Sequence, residues 1–175
     1  MSNTFFIGDT HFGHKNIIKF SRTQFNSIEE HDQTLIDNWN KVVKKNDCVW
    51  VLGDLAFGVS NLRLNVPRLN GTKKLVLGNH DDPRINLYDD VGIKKLFGAA
   101  YFGKGILTHI PVHTNQLKRF LFNIHGHMHN NVVTRLYDDG IDVLVESDPR
   151  YVCVSAEQIN LTPISWEELK VKHAL

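Results

Sequence analysis

The sequence predicts an α/β fold in which two mixed sheets pack face to face with helices outside. Three observations predict it. Strand-like runs alternate with helical patterns through the first half of the chain, as in a sheet of parallel strands. The runs at Cys48–Leu52 and 75–77 are continuously apolar, which suits strands covered on both faces. The second half is richer in strands and carries a hairpin pattern.

Taken in order, Thr4–Ile7 is a short apolar strand that ends at Gly8-Asp9. Residues 27–43 form an amphipathic helix. Ser27 and Glu30 make a capping-box pattern, and Ile28, Leu35, Trp39 and Val42 recur on one face. Cys48–Leu52 runs into Gly53-Asp54. A short helix is expected over 62–69, although Pro67 denies it a regular interior. Asn70-Gly71 signals a turn before the strand at 75–77, which ends at Gly78-Asn79. Residues 99–102 and 106–109 pair through Gly103-Lys104-Gly105 as a hairpin. Residues 120–125 form a strand leading into Gly126-His127. Residues 132–145 hold two apolar runs about a turn at Asp138-Asp139-Gly140, and 151–155 is a further strand. Ser165 and Glu168 form a second capping box that starts a C-terminal helix.

At 175 residues the chain is most simply one domain, 1–175, long enough to bury roughly 70% of its unfolded surface. No apolar run approaches the ~20 residues that span a bilayer. The opening Met1-Ser2-Asn3-Thr4 has no basic region of a signal peptide, so a cytoplasmic location is expected, with no membrane partner. Cys48 and Cys153 sit in apolar runs and read as buried, reduced thiols. The formal net charge of +1 gives no global electrostatic case for nucleic acid. The basic pairs Lys44-Lys45, Lys73-Lys74, Lys94-Lys95 and Lys118-Arg119 read as solvated surface.

The chemistry concentrates in four short stretches: Asp9-Thr10-His11, Gly53-Asp54, Gly78-Asn79-His80-Asp81 and Gly126-His127-Met128-His129. His109 is a fifth candidate. Each follows a strand-like run, so the side chains emerge at strand ends, and metal sites need such rigidly held, converging ligands. Asp9 and His11 are two apart, as are His127 and His129, so each pair can share one face. A carboxylate such as Asp54 has two oxygens and can bridge two cations. Asn79 offers a neutral amide oxygen.

This set of motifs resembles the calcineurin-like metallophosphoesterase superfamily over 9–129, and the block from Gly8 to Ile18 resembles its small bacterial and phage members. The resemblance implies a four-layer α-β-β-α sandwich and two divalent metal ions. It implies that Asp9, His11 and His129 hold the first ion, that Asn79, His109 and His127 hold the second, and that Asp54 bridges them. It further implies that His80 contacts the substrate phosphate and that Asp81 orients His80. One departure stands out: Thr108-His109-Ile110-Pro111 keeps the family's proline but changes the residue before the histidine.

Two dications so held would draw in a phosphate ester and supply a bridging hydroxide as nucleophile at neutral pH. Nitrogen and oxygen ligands without thiolate favour Mn²⁺, with Fe, Zn, Ni or Co as alternatives. The reaction expected is hydrolysis of a small phosphoester, mono- or diester, of nucleotide type. A nuclease is the runner-up; the modest charge and the lack of an arginine-rich or aromatic binding segment count against nucleic acid as the partner. A non-catalytic scaffold on the same fold ranks below both, since His80 and every ligand position are kept. The resemblance places His14 near the substrate, and Arg22 and Arg84 are candidate phosphate clamps, because arginine's fork suits that anion; a structural or surface role is the alternative for each. His113 is a candidate pocket residue, His125 reads as buried and hydrogen-bonded, and His31 and His173 read as surface residues.

Overall fold

A computed structural model describes residues 2–138 and 143–175. Its strands, numbered along the chain, are β1 (Thr4–Ile7), β2 (Cys48–Leu52), β3 (Thr72–Val76), β4 (Leu96–Phe97), β5 (Ala100–Phe102), β6 (Gly105–Leu107), β7 (Asn123–His125), β8 (Thr134–Asp138), β9 (Val143–Ser147), β10 (Tyr151–Cys153) and β11 (Ile164–Ser165). The α-helices are α1 (Ile17–Phe20), α2 (Ile28–Val42), α3 (Val59–Asn65), α4 (Asn86–Asp89) and α5 (Trp166–His173). The protein is therefore mixed α/β. One sheet has the order β11-β1-β2-β3-β4, with β1 to β4 parallel and β11 antiparallel at its edge. The other runs β10-β7-β6-β5, with β5 the antiparallel edge. β8 and β9 pair only with each other among the described residues.

The two larger sheets share one apolar core. Phe6, Ile7, Val51, Leu52, Leu75 and Val76 from the first cluster with Leu107, Ile124 and Val152 from the second. Phe6 meets the ring of Phe102 edge-on at 5.0 Å, and Trp166 packs on both. Gly8 joins the sheets by hydrogen bonds at the end of β1: its N–H donates to Val154 O at 2.7 Å, and its carbonyl accepts from Ala156 N at 3.0 Å. The C-terminal ends of parallel strands from both sheets are thereby drawn to one place.

Local chemistry explains the elements. Ser27 Oγ caps α2 by accepting from Glu30 N at 3.1 Å, but the Glu30 carboxylate reaches back to Asn26 N, so only half of the expected box forms. The box at Ser165 and Glu168 is complete. α2 buries Ile28, Leu35, Ile36 and Trp39, and Trp39 Nε1 donates to Asn70 O at 3.0 Å, tying the helix to the turn before β3. The helix expected over 62–69 begins earlier, as α3, and tightens into a 3₁₀ turn at Val66–Arg68, where Pro67 supplies no amide. The strand expected over 120–125 shortens to β7, although Leu121 N still donates to Lys104 O at 2.9 Å ahead of it. The turn expected at Asp138-Asp139-Gly140 falls largely outside the described residues. Cys48 and Cys153 are free and half-buried rather than buried. No described helix is long and apolar enough to cross a membrane.

Trp39 tests the packing of α2 on this core. Replacing Trp39 with Ala removes a side chain only 1% exposed and should cost about 3–5 kcal/mol in denaturant unfolding. Trp39→Phe keeps most of the volume but strips Asn70 O of its donor, and should cost clearly less, about 1–3 kcal/mol.

Candidate metal centre

The parallel strands deliver their following residues to one end of the fold, where α/β proteins place ligands. β1 leads to Asp9 and His11, β2 to Asp54, β3 to Asn79 and His80, β6 to His109, and β7 to His127 and His129. The backbone turns sharply there. Asp9, His11, Asp54, His127 and His129 all have positive φ, between 49° and 67°, and the only other described non-glycine residues in that region are Asn160, Leu161 and Ala174. Asp and His tolerate this conformation better than most residues, yet it carries strain that persists only where surroundings enforce it.

The donor atoms converge. Asp9, His11 and His129 offer ligand atoms within 4.8 Å of one another, and so do Asp9, Asp54 and His109. Asp54 Oδ2 lies 3.6 Å from His11 Nε2 and 3.4 Å from His109 Nε2, between the two groups. His109 Nδ1–H donates to Leu52 O at 2.9 Å, which fixes the ring and leaves Nε2 facing the cluster. Nε2 lies 3.0 Å from Asn79 Oδ1 and 3.2 Å from His127 Nδ1. Asp9 Oδ1 and His11 Nε2 are buried with no hydrogen-bond partner. Buried polar atoms without a partner are costly in a folded protein, and a cation held among them would remove that cost. The residues present therefore fit a divalent metal pair.

Protonation follows burial and neighbours. Burial raises the Asp9 carboxyl to about 6. Burial also lowers His11, His14 and His127, so these rings favour the neutral state that can donate a lone pair. Burial would raise Asp54, but the His109 hydrogen bond and charge bring it below the usual carboxylate range. Against burial, the Asp54 partner raises His109, and the Glu157 hydrogen bond raises His129.

Around this cluster lies a set of buried supports. Asp9 Oδ2 accepts from His127 N at 2.8 Å, and Asp54 Oδ1 accepts from His80 N at 2.8 Å, so each carboxylate binds a loop from another strand. Gly126 lets that approach happen: a Cβ there would lie 2.6 Å from Asp9 Oδ2 and 2.6 Å from Leu52 O. His129 Nδ1–H donates to Glu157 Oε1 at 2.9 Å, which fixes the tautomer and turns Nε2 toward the cluster.

Three expected roles are corrected. Asp81 does not orient His80 by a hydrogen bond. Its Oδ2 accepts from Asp54 N and Gly78 N, both at 2.8 Å, and its Oδ1 from Leu55 N at 3.0 Å, so the carboxylate is used up in holding the β2 and β3 loops together. His80 is exposed, with its ring 5.5 Å from that of His11 and 5.9 Å from that of His14. Arg22 is fully buried and cannot clamp a substrate. Its Nη1 donates to Thr10 O at 3.0 Å, its Nη2 to Asp9 O, and its Nε to Glu157 Oε1 at 2.9 Å. His31, expected at the surface, is buried: it accepts from Arg22 and donates through Nδ1 to Asp32 Oδ1 at 2.8 Å, and Asp32 in turn accepts from Gly13 N. Sequence reasoning missed Glu157, for which no spacing gives a signal, but His31 and Asp32 do lie in the same helical stripe as Ile28 and Leu35. His125 is buried and donates to Gly126 O, as expected. His113 is exposed and caps the 3₁₀ turn at Thr114–Lys118, and Arg84 is exposed with its fork on Asp82.

The fold and site thus define a mixed α/β protein with a buried carboxylate–imidazole cluster at its parallel strand ends. No family model matches the chain. It is 34% identical over 169 residues to the uncharacterized protein MJ1445 of Methanocaldococcus jannaschii, spanning 94% of this chain and 88% of that one. It is 31% identical over 156 residues to the gene 66 protein of Mycobacterium phage D29, with 82% and 77% coverage. The gene 66 protein of Mycobacterium phage L5 matches at 42% over 87 residues, 47% of this chain and 42% of that one. The chain belongs to the family of MJ1445 and the phage gene 66 proteins. A crystal structure of the protein of unknown function AQ665 from Aquifex aeolicus shares the fold, with a TM-score of 0.72 at 24% identity over 98% of this chain and 100% of that one.

Arg22 and Glu157 separate support from substrate contact. Arg22→Lys, which cannot reach both carbonyls and Glu157, should lower the thermal midpoint of the protein without ligand; a clamp for substrate would leave that midpoint unchanged. Against the effect of burial, the His129 hydrogen bond and the Arg22 charge depress Glu157 from 4.5 to about 2. The stability it contributes is present above its unfolded pKa and is lost as pH falls from about 4.5 toward about 2. Glu157→Gln should flatten that part of the stability–pH curve, read by urea titrations at stepped pH.

Proposed function

We propose that the protein is a phosphoester hydrolase of the calcineurin-like metallophosphoesterase type, dependent on two divalent ions, with Mn²⁺ the first choice. The observation that carries this reading is the convergence of metal-ligating atoms from Asp9, His11, Asp54, Asn79, His109, His127 and His129 at parallel strand ends. Asp9, His11 and His129 would hold one ion, Asn79, His109 and His127 the other, with Asp54 between. The four-layer α-β-β-α sandwich belongs to the same proposal, supported by the shared core between the two larger sheets. A cytoplasmic location, supported by two unpaired cysteines, is also part of it.

When bound, the ions would lower the pKa of water and polarise phosphoryl oxygens. The chain's own part is positioning. Asp54 Oδ1 holds the backbone amide of His80 and so sets where that imidazole stands. His80, exposed beside the cluster, would meet the ester oxygen and give it a proton as the bond breaks. Asn79 and His80 are the open side of a cluster whose Asp9, His11, Asp54 and His109 are only 0–3% exposed, so a small phosphoester would enter from there.

Metal content and hydrolysis of bis-p-nitrophenyl phosphate with added Mn²⁺ test the reading together. His80→Ala should keep its metal and lose about 10²–10⁴-fold in turnover. Asp54→Asn should lose both. A wild-type protein that retains no metal, or a His80→Ala variant that turns over normally, overturns the assignment. Mn²⁺ affinity should also depend on pH with a definite sign. Asp9, raised to about 6, must shed its proton to ligate, and His109 and His129, both raised, must also free a ring nitrogen, so affinity falls by at least about tenfold per pH unit below about 6 and binding releases protons there.

A further inference from the structure

Next to His80 opens a cavity of about 350 Å³, at the small end of the roughly 300–1,000 Å³ usual for ligand pockets. Phe57, Val59, Leu62, Pro83 and Leu87 give it an apolar wall, and His80 stands at its edge. No lysine or arginine lines it. Its two carboxylates are engaged, Asp81 by three backbone amides and Asp82 by the Arg84 fork. Phe57 is 47% exposed, but its ring is held: it stacks on His14 with centroids 4.5 Å apart and planes 11° apart, and lies 6.1 Å from the His80 ring. A large apolar ring thus spans from the imidazole cluster to an adjoining apolar cavity.

We propose that this cavity is the subsite for a flat, uncharged aromatic group of the substrate, a nucleobase or aryl ring, and that Phe57 determines this specificity. The inference rests on the hydrolase reading for the place of the phosphoryl group. The lining excludes the alternatives. A second phosphate would find no cation there, and its desolvation would go uncompensated. A free sugar would bring several hydroxyls to a largely apolar wall whose two carboxylates are already engaged. An aromatic ring needs only apolar contact and a stacking face, and Phe57 supplies both.

Phenylphosphonate and methylphosphonate share an anion and differ only in the ring, so their binding to the Mn²⁺-loaded protein isolates the subsite. Calorimetry should give a dissociation constant about 10–100-fold lower for the phenyl compound. Phe57→Ala, at a half-exposed position, and Val59→Trp, which fills the cavity, should each bring the ratio close to one. Equal affinities in the wild type, or a ratio that survives both substitutions, overturn the subsite. Hydrolysis of bis-p-nitrophenyl phosphate by the same samples reports on the hydrolase separately. Aryl-selective binding without turnover sinks the hydrolase and supports the subsite, and turnover with equal affinities does the reverse.

Discussion

Carboxylates and imidazoles packed together out of solvent are the constraint on which this structure turns. His109 Nε2 faces an amide oxygen, a carboxylate oxygen and another ring nitrogen, while Asp9 Oδ1 and His11 Nε2 face no donor. Burial makes the arrangement expensive, since no protein group pairs with Asp9 Oδ1 or His11 Nε2 by a hydrogen bond. A fold keeps such a cluster only when the loops that carry it have no easier conformation. That requirement accounts for the five positive φ angles and for the density of buried hydrogen bonds around them.

Those hydrogen bonds come from charged groups that never reach the cluster's open face. Arg22 grips the carbonyls of Asp9 and Thr10, Asp81 gathers three amides from the β2 and β3 loops, and Glu157 joins Arg22 to His129. Arg22 and Asp81 are satisfied on several sides, and Glu157 Oε1 accepts from two cationic partners, Arg22 and His129; such pairing is the condition under which burial of charge is tolerated. His31 and Asp32 extend the chain from Arg22 to Gly13, so one face of α2 is as much a brace for the β1 loop as a hydrophobic stripe. The cost of strained ligands is thus offset by polar contacts one layer further out.

The sequence was legible where a side chain's type states its role locally. Apolar continuity marked Cys48–Leu52, the glycines marked the strand ends, and the paired Asp and His residues marked the site. It was illegible where the role depends on geometry across the fold. Nothing in the chain tells Arg22 buried on backbone carbonyls from Arg22 exposed to an anion, because both use the same fork. Asp81 beside His80 reads as a partner for it until the structure shows three amides competing for the same two oxygens. Two-residue strands such as β4 and β11 carry no period at all.

Burial is graded across the site, and the gradient divides the work. Asp9, His11, Asp54 and His109 lie deep and are braced by the charged layer beneath them, while Asn79, His80 and Phe57 stand at the surface. Deep residues can be rigid because nothing needs to pass them. Phe57 meets whatever arrives and can vary in shape without disturbing the carboxylates below. Under the proposed reading, the metal chemistry is fixed by the strand ends and the choice of substrate by the loops after β2 and β3. Substitutions at Phe57 or Val59 should therefore alter which ester is bound far more than whether the cluster forms.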